Sequence, residues 1–367
     1  MKFLKKILIY ISGLYILFII FILYGGLVNY FAKQDDNPNL RLKKLRPIVI
    51  YLSEFPFTAY RSIREKFDGY HEFRVKNNND FIEQKIENKK FFNKKYYILT
   101  SIYNLDKKRS EIYLLDCLNK TILHKWTPNS EKIYKNLIDS DLKSFEYKRE
   151  TYFKPERILF NSPILTQNKN VIFNTSGSLV RIDSESNILW QNNKEFHHSI
   201  ERGFNKQNIW VPLRNDFDGS YKNLHKNFID DGFAKIDVKT GQILFKRSLT
   251  QILEKNNLSY FYKNKNYGYD PLHINDVEEA QFDGVEWKKG DLFISANEPS
   301  TIFLYRPDED KLIWFKQGPW SAQHDIDILS EYEISIYDNN LNNESKPDPF
   351  NRVVIYNFKE NSTSFPN

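Results

Sequence analysis

The stretch LLDCLNKTILHKW, at residues 114–126, ends a short apolar run on an aspartate, turns through polar residues and resumes with an aliphatic pair and a tryptophan. The same order returns in VRIDSESNILW at 180–190 and in AKIDVKTGQILF at 234–245. A fourth copy, LYRPDEDKLIW at 304–314, lacks the aspartate. Short runs of β-branched and aromatic residues around a polar turn are typical of β-hairpins, so the sequence predicts one hairpin that is used repeatedly.

The spacing of these copies favours a β-propeller. They recur at intervals of about 55–70 residues, which is the behaviour expected when one supersecondary unit is repeated. Each copy has the form of a blade hairpin, with an aromatic residue at the end of the outer strand that packs between neighbouring blades. We therefore predict an all-β fold of the propeller type. A β-sandwich or barrel with similar hairpins is the alternative.

The N-terminus contains a candidate membrane anchor. No charged residue occurs from Ile7 to Ala32, and a helix of that length can cross a hydrocarbon layer of roughly 30 Å. A cleaved signal peptide is the alternative, but its apolar region is usually shorter and we find no small-x-small cleavage site. The predicted divisions are a short basic N-terminus (1–6), one transmembrane helix (7–31), a juxtamembrane and approach segment (32–95) and the propeller domain (96–367).

The distribution of charge argues against a nucleic-acid partner. The formal net charge is +6, and residues 1–46 account for all of it with eight Lys or Arg and two Asp. The rest of the chain is formally neutral, so no nucleic-acid-binding surface is predicted, whereas basic residues beside the anchor can attract anionic lipid. Basic residues flank the apolar stretch on both sides, so charge alone does not orient it. Cys117 is the only cysteine, which excludes an intrachain disulfide.

Histidines are the candidate functional residues. The sequence contains no phosphate loop, His-Glu-x-x-His motif, nucleophile elbow or dinucleotide fingerprint. Among its seven histidines, those in FHHS at 196–199, DPLHIND at 270–276 and GPWSAQHD at 318–325 lie in unusual contexts. Each context follows a turn and precedes a predicted strand. In a propeller such positions are expected to converge at one end of the central channel.

Two other interpretations of these histidines stay open. Any one of them could be held in its loop by backbone hydrogen bonds. A metal site is also conceivable, because imidazole binds zinc, copper, iron and nickel and Asp276 or Asp325 could complete the set. No two histidines have the i, i+2 or i, i+4 spacing that such sites commonly use. We predict no metal and no other cofactor.

Several segments match a known family in the same order. They are His197-His198 followed by NIWV at 208–211, DPLHINDV at 270–277 followed by GDLFIS at 290–295, and Gln323-His324-Asp325 followed by ISIYDN at 334–339. On these residues the chain resembles the arylsulfotransferase family of bacterial β-propellers over roughly Ile158 to Tyr356. The resemblance implies a propeller of about six blades. It also implies a periplasmic location for the propeller, which together with the predicted anchor gives a single-pass protein of the inner membrane.

The resemblance implies a reaction as well. It is nucleotide-independent transfer of a sulfuryl group from an aryl sulfate to a phenol through a sulfohistidine intermediate, which replaces one difficult displacement with two easier ones. His324 would be the nucleophile and His273 the proton donor to the departing phenolate. His197 or His198 would contact the sulfuryl oxygens. The residues expected to orient the rings through hydrogen bonds are Asn275, Gln323 and Asp325.

One position departs from the family. After the strand at 292–295 the family usually has an arginine followed by a histidine, whereas this chain has Asn297 in the sequence SANE at 295–298. Loss of one such electrostatic donor typically costs about 3–4 kcal/mol of transition-state stabilisation. Arg214 is a candidate replacement, and both residues belong to the predicted substrate-binding set. The alternative function is a catalytically inactive membrane-anchored propeller that acts as a binding or assembly module, for which the histidines would point into solvent or be spread around the rim, with no shared pocket.

Overall fold

The computed structural model describes most of the chain from residue 96 onward. The described residues are 13, 15, 16, 19, 20, 23, 24, 96–139, 155–175, 177–217, 228–263, 270–340 and 351–366. The described positions before residue 25 are helical, and no helix among the described residues is long and apolar enough to span a membrane. The predicted anchor at 7–31 lies outside the described residues except at those positions. The predicted segment at 32–95 lies outside them altogether.

The chain divides into two compact units. The first comprises Met1–Glu87, Lys222–Lys226 and Lys263–Gly268, and the second comprises the rest. All described strands belong to the second unit, which is an all-β propeller whose described residues form five antiparallel sheets. The strands are β1 (Tyr97–Asn104), β2 (Arg109–Asp116), β3 (Thr121–Trp126), β4 (Asn161–Leu165), β5 (Val171–Asn174), β6 (Leu179–Ile182), β7 (Ile188–Asn192), β8 (Glu195–Phe196), β9 (Glu201–Arg202), β10 (Asn208–Arg214), β11 (Asp231–Asp237), β12 (Ile243–Ser248), β13 (Ile274–Glu279), β14 (Leu292–Ala296), β15 (Thr301–Arg306), β16 (Lys311–Gln317), β17 (Ile326–Ile328), β18 (Glu333–Asp338), β19 (Arg352–Asn357) and β20 (Ser362–Ser364).

The blades follow one another along the chain. Blade 1 is β1-β2-β3, blade 2 is β4-β5-β6-β7, blade 4 is β13-β14-β15-β16 and blade 5 is β17-β18-β19-β20. In blade 3 the order is β12-β11-β10-β8, and the short strand β9 also pairs with β10. The described helices are α1 (Ser130–Ile138), α2 (Leu249–Lys255) and α3 (Tyr260–Lys263). Asn129 caps α1 by accepting a hydrogen bond from Lys132 N at 2.9 Å, as Asn commonly does at helix N-termini.

The expected number of about six blades is wrong, because the described residues form five. The length of each repeat explains the difference. At intervals of about 55–70 residues, the predicted domain at 96–367 holds five units and not six. Long connections such as the one between β10 and β11 lengthen each repeat, so the described residues from 96 onward hold five blades.

The four repeated hairpins that decided the fold prediction are present. They connect β2 to β3, β6 to β7, β11 to β12 and β15 to β16. All four contain a register shift near the turn, and such a bulge increases the local twist of the hairpin. The aspartate of the repeat forms the turn: Asp183 Oδ1 accepts from Glu185 N at 2.9 Å and from Asn187 N at 2.8 Å.

Aromatic residues of the repeat join neighbouring blades, as predicted. Trp126 Nε1 donates to Lys169 O of blade 2 at 3.1 Å, and Trp190 Nε1 donates to Val238 O of blade 3 at 3.1 Å. Trp314 of blade 4 stacks on Tyr356 of blade 5 with ring centroids 5.6 Å apart.

Buried apolar clusters lie between successive blades. One cluster unites Trp126 of blade 1 with Phe173 of blade 2, and another unites Ile172 of blade 2 with Val211 of blade 3. A third unites Phe293 of blade 4 with residues of blade 5. Each fully buried large side chain contributes about 1.5–3 kcal/mol. The inner strands β9, β13 and β17 are thereby held in fixed positions, and the loops before β13 and β17 carry the predicted site.

Candidate functional site

Four of the predicted histidines converge in the structure. The ring centroids of His198 and His273 are 4.8 Å apart, and those of His198 and His324 are 5.9 Å apart. His197 lies 5.0 Å from His198 and 6.3 Å from His273 by the same measure. Blades 3, 4 and 5 supply these rings from loops next to β8, β13 and β17. The cluster therefore brings together side chains separated by more than a hundred residues.

Local backbone geometry contributes to this convergence. His198 and His273 both adopt left-handed conformations, with φ of 55° and 49°. Such conformations cost of order 1–3 kcal/mol for a residue with a side chain and are concentrated at functional sites. Of the other histidines, His124 contacts Ser184 O at 2.9 Å, outside the cluster. His71 and His225 lie outside the described residues.

A hydrogen-bonded chain runs from Asp231 through His197 to His198. His197 Nε2 lies 3.0 Å from Asp231 Oδ1, and His197 Nδ1 lies 2.7 Å from His198 Nδ1. Asp231 also accepts from Gly232 N at 3.0 Å and from Ile274 N at 2.8 Å. Asp231 is fully buried and His197 is 4 % exposed, so the chain is shielded from solvent.

The protonation of Asp231 decides which nitrogen of His198 carries a hydrogen. Burial, with repulsion from Asp270 next, raises the pKa of Asp231 to about 8. At pH 7 its carboxyl can therefore donate to His197 Nε2, His197 Nδ1–H then donates to His198 Nδ1, and His198 Nε2 bears the hydrogen. When Asp231 ionises the order reverses, and His198 Nε2 becomes an acceptor. Burial lowers the pKa of His198 to about 2 and that of His197 well below its ordinary value, so both rings are neutral.

Asp270 links His273 to Arg214. His273 Nδ1 donates to Asp270 Oδ2 at 2.7 Å, and His273 N donates to Asp270 Oδ1 at 3.2 Å. Arg214 Nη2 donates to the same Asp270 carboxylate and lies 3.2 Å from His273 Nδ1. Burial opposes ionisation, but the His273 hydrogen bond and the Arg214 charge outweigh it and lower the pKa of Asp270 to about 2. The hydrogen bond to Asp270 fixes the orientation of the His273 ring. Among the described residues, no group forms a hydrogen bond with His273 Nε2.

His324 has two contacts at one ring nitrogen. Its Nδ1 lies 3.2 Å from Ala322 O and 3.1 Å from Asn339 Nδ2. A carbonyl requires hydrogen on Nδ1, whereas an amide nitrogen requires a lone pair there, so the contacts select opposite tautomers. With hydrogen on Nδ1 and the Asn339 carbonyl turned toward the ring, Nε2 carries the lone pair. Burial lowers the pKa of His324, which keeps the ring neutral at pH 7.

Asn275 and Gln323 hold the scaffold of the site. Asn275 Nδ2 donates to Gln323 O at 2.9 Å, and Gln323 Nε2 donates to Ala296 O at 2.9 Å and Thr301 O at 3.1 Å. These bonds join the loop before β17 to blade 4. Neither side chain forms a hydrogen bond with an imidazole ring of the described site.

Asp325 faces a different group of residues. Its carboxylate lies with those of Glu201 and Asp276, and among the described residues no hydrogen bond joins it to a histidine ring. The groups that orient the rings are instead Asp231, Asp270 and the carbonyl of Ala322.

Sequence reasoning did not select the two aspartates. Asp270 lies in the quoted DPLHIND segment, and Asp231 follows Asp230 directly before a run of apolar residues.

Comparison with known proteins gives the family of this chain. Residues 157–366 match the arylsulfotransferase (ASST) family. The chain belongs to the arylsulfotransferase family. The matched segment contains every residue of the histidine cluster and all of blades 3, 4 and 5. A search of curated proteins finds no match.

Solved structures show only distant likeness. A protein of unknown function from Bacteroides caccae has a TM-score of 0.45 and 11% identity, with 74% of this chain and 73% of that chain covered. The Neurospora crassa Pan2 WD40 domain has a TM-score of 0.42 and 10% identity, with 74% of this chain and 62% of that chain covered. The fold assignment rests on the strand pairing of this chain itself.

The position at which the arylsulfotransferase motif usually has arginine is occupied by Asn297. Its backbone N donates to His273 O at 3.0 Å, and its Nδ2 donates to Gln323 O at 3.4 Å. Asn297 thus supports the loop of His273 and adds no positive charge. Arg214 brings a guanidinium to the cluster from the end of β10, where its backbone pairs with Asp231. Among the described residues, Arg214 Nη1 forms no hydrogen bond, so that nitrogen can face an anion.

Proposed function

We propose that this protein transfers a sulfuryl group from an aryl sulfate to a phenol through a sulfohistidine at His324. The observation that carries the proposal is the clustering of His198, His273 and His324, with ring centroids 4.8 and 5.9 Å apart, inside a domain of the arylsulfotransferase family. The inactive module predicted as the alternative would point these rings into solvent or spread them around the rim, whereas the described rings lie together.

His324 is the nucleophile in this proposal. A hydrogen bond from Nδ1 to Ala322 O leaves the lone pair on Nε2, and the lowered pKa of His324 keeps that lone pair free of a proton. Nε2 attacks sulfur, an N–S bond forms, and the S–O bond to the aryl group breaks with its electron pair on the phenolate. Attack by an acceptor phenol then reverses these steps and restores the imidazole.

His273 handles the proton in both half-reactions. With hydrogen on both ring nitrogens, His273 gives its Nε2 proton to the departing phenolate while Asp270 holds the ring. The same nitrogen then takes the proton of the acceptor phenol. Imidazole suits this exchange because its unperturbed pKa lies near neutrality, and Asp270 holds the ring through Nδ1 at 2.7 Å.

His198 and Arg214 stabilise the charge on the sulfuryl oxygens. With Asp231 protonated, His198 presents Nε2–H beside the rings of His273 and His324. Arg214 donates to Asp270 through Nη2 and has Nη1 available as a second donor. Donors that are already oriented in a buried site stabilise a transition state more than donors in water, and together they compensate for the arginine that Asn297 replaces.

The test is sulfuryl transfer from a panel of aryl sulfates to phenol acceptors. We expect transfer by the wild type, and we expect His324→Ala to lower kcat by at least about a thousandfold because the covalent route is lost. Mass spectrometry of a donor-treated sample should find one added SO3 group on the peptide that contains His324. His124→Gln, which changes a histidine outside the cluster, is the matched control. Absence of turnover with every donor, or equal rates in the wild type and His324→Ala, would contradict the proposal.

We also propose that residues 7–31 anchor the protein in the inner membrane with its propeller in the periplasm. The absence of charge from Ile7 to Ala32 supports the anchor, as does the exposure of the helical residues Tyr15, Ile16, Ile20 and Leu23. Membership of the arylsulfotransferase family supports the location. Resistance of the full chain to carbonate extraction tests the anchor, and protease sensitivity in spheroplasts tests the location.

A further inference from the structure

A cluster of carboxylates lies on the inner strands next to the histidine cluster. Glu201 on β9, Asp276 on β13 and Asp325 immediately before β17 each offer an oxygen, and these oxygens all lie within 4.8 Å of one another. Three successive blades thus contribute one acid each. Asp325 is adjacent in sequence to His324, so the two clusters meet at one peptide unit.

The charges of this acid cluster are not balanced by basic side chains. Glu278 and Asp327 add two more carboxylates, and within the described part of the chain none of the five acids has an ion pair or a basic hydrogen-bond donor. Ionised carboxylates this close together repel one another unless a cation lies between them.

One buried carboxylate oxygen of this region also lacks a hydrogen bond of ordinary geometry with a described residue. Asp276 is 0 % exposed, and its Oδ2 accepts from Ile326 N at 3.0 Å. Its Oδ1 forms no hydrogen bond of ordinary geometry with a described residue, and the polar group beside the carboxyl is the hydroxyl of Ser199. Buried polar atoms are nearly always paired, and an unpaired carboxylate oxygen is one that an ion can satisfy. Asp276 therefore directs an unsatisfied, buried carboxylate into the cluster.

We propose that Glu201, Asp276 and Asp325 bind one calcium ion. The three oxygens lie no more than 4.8 Å apart, so a cation at about 2.3–2.6 Å from its ligands, the usual Ca²⁺–oxygen range, can lie between them. Mg²⁺ requires about 2.0–2.1 Å and near-ideal octahedral geometry, so carboxylates from three separate strands suit the more flexible coordination of Ca²⁺ better. An all-carboxylate ligand set also favours a hard cation over zinc or copper.

The ion joins three blades and takes no part in sulfuryl transfer. Its ligands lie on the inner edges of blades 3, 4 and 5, the same blades that supply the histidines. Asp325 is exposed, which gives a cation a path from solvent. Calcium binding is measurable without any aryl sulfate, so failure of this inference and failure of the proposed transferase activity are separate outcomes.

The test uses the purified full chain, treated with EGTA and then dialysed. Titration calorimetry with CaCl2 should show one site per chain, and the Tm should rise with the logarithm of calcium concentration because the ion binds only the folded state. MgCl2 at equal concentration should produce a smaller rise in Tm.

Variants locate the site. Asp276→Asn and Asp325→Asn should each weaken calcium binding by about tenfold or more, because the charge of the ligand set governs affinity. Asp308→Asn, which alters an exposed carboxyl outside the cluster, should bind calcium as the wild type does. Asp325→Asn keeps the test valid if Asp276→Asn does not fold, since Asp325 is exposed. Absence of both heat and Tm shift with calcium would overturn the inference, and so would wild-type affinity in Asp325→Asn.

Discussion

His198 and His273 meet edge to face with ring centroids 4.8 Å apart, although one follows the first strand of blade 3 and the other precedes the first strand of blade 4. A different aspartate orients each ring through hydrogen bonds. Asp231 contacts His197, which in turn contacts His198, whereas Asp270 contacts His273 directly. The two aspartates have opposite pKa shifts, upward for Asp231 and downward for Asp270. In the proposed reaction His198 therefore serves as a neutral hydrogen-bond donor, and His273 transfers the proton.

His273→Ala should slow transfer most for donors with poor leaving groups. A phenolate of high basicity needs the proton that His273 supplies, whereas a nitrophenolate leaves without it. We expect kcat to fall about a hundredfold or more for unsubstituted phenyl sulfate and far less for a nitrophenyl sulfate. Rates across a series of substituted donors provide the measurement. A loss that is equal for all leaving groups would exclude proton transfer by His273.

Transfer should decline as the pH rises through about 8, the raised pKa of Asp231. Below that pH the protonated Asp231 donates to His197 and His198 Nε2 bears a hydrogen, whereas above it that donor is lost. Asp231→Asn keeps a donor at this position, so its profile of kcat/KM against pH should lack the decline. Asp231→Leu provides no donor and should be slow at every pH. A decline near pH 8 that persists in Asp231→Asn would show that another group causes it.

Arg214→Gln should lower kcat by roughly a hundredfold, the usual effect of removing one preorganised donor from a transition state. Arg214→Lys should retain part of the activity because the charge remains but the planar fork is lost. Arg247→Gln, in an exposed ion pair with Asp310, is the control and should be unaffected. Wild-type kcat in Arg214→Gln would mean that Arg214 does not replace the arginine missing at Asn297.

Glu111→Gln should destabilise the protein in a pH-dependent manner. Burial opposes ionisation of Glu111, but hydrogen bonds from Lys125, Tyr113 and others outweigh it and lower its pKa from 4.5 to about 2. A lowered pKa stabilises the fold above the unfolded value, and this stabilisation is lost as the pH falls toward about 2. We expect the variant to lose about 2 kcal/mol at pH 7 after allowance for the partial exposure of Lys125. Urea unfolding at pH 7 and at pH 3 measures the difference, which should shrink at the lower pH.

Gly241→Ala should be more destabilising than Gly290→Ala. Both glycines have positive φ, 73° and 92°, so alanine costs about 1–2 kcal/mol of backbone strain at each. An added Cβ at Gly241 would lie 2.7 Å from the ring of Trp190, whereas Gly290 has no atom within 4 Å. The additional clash should cost about 1–3 kcal/mol, measured by urea unfolding. Equal losses of unfolding free energy in the two variants would mean that the Trp190 ring moves aside at little cost.

The sequence was sufficient for the repeated part of the fold. An aspartate, a polar turn and an aliphatic pair with an aromatic residue recur locally, so the outer hairpins of blades 1 to 4 could be identified without coordinates. Blade 5 ends in the polar strand Ser362–Ser364 and lacks this signature. The expected number of blades came from the family resemblance, and it was wrong because long connections lengthen each repeat of this chain.

For the site, the sequence indicated which histidines belong together but not how their rings are held. The turns before β13 and β17 were visible as local signals, and the family resemblance ordered them. Asp231 acts from the strand that pairs with β10, a contact set by register between distant segments. The role of Asp325 beside Glu201 likewise depends on how three blades pack, and one sequence does not reveal that.

His324 and Asp325 are consecutive, yet one contributes to a group of neutral rings and the other to a group of acids. Successive side chains in extended backbone point in opposite directions, so one residue inserted between Asp325 and β17 would move Asp325 to the position of His324. A carboxylate would then stand where a lone pair must meet sulfur, and would repel the anionic donor. The segment that leads into β17 therefore tolerates substitution more readily than any change in its length.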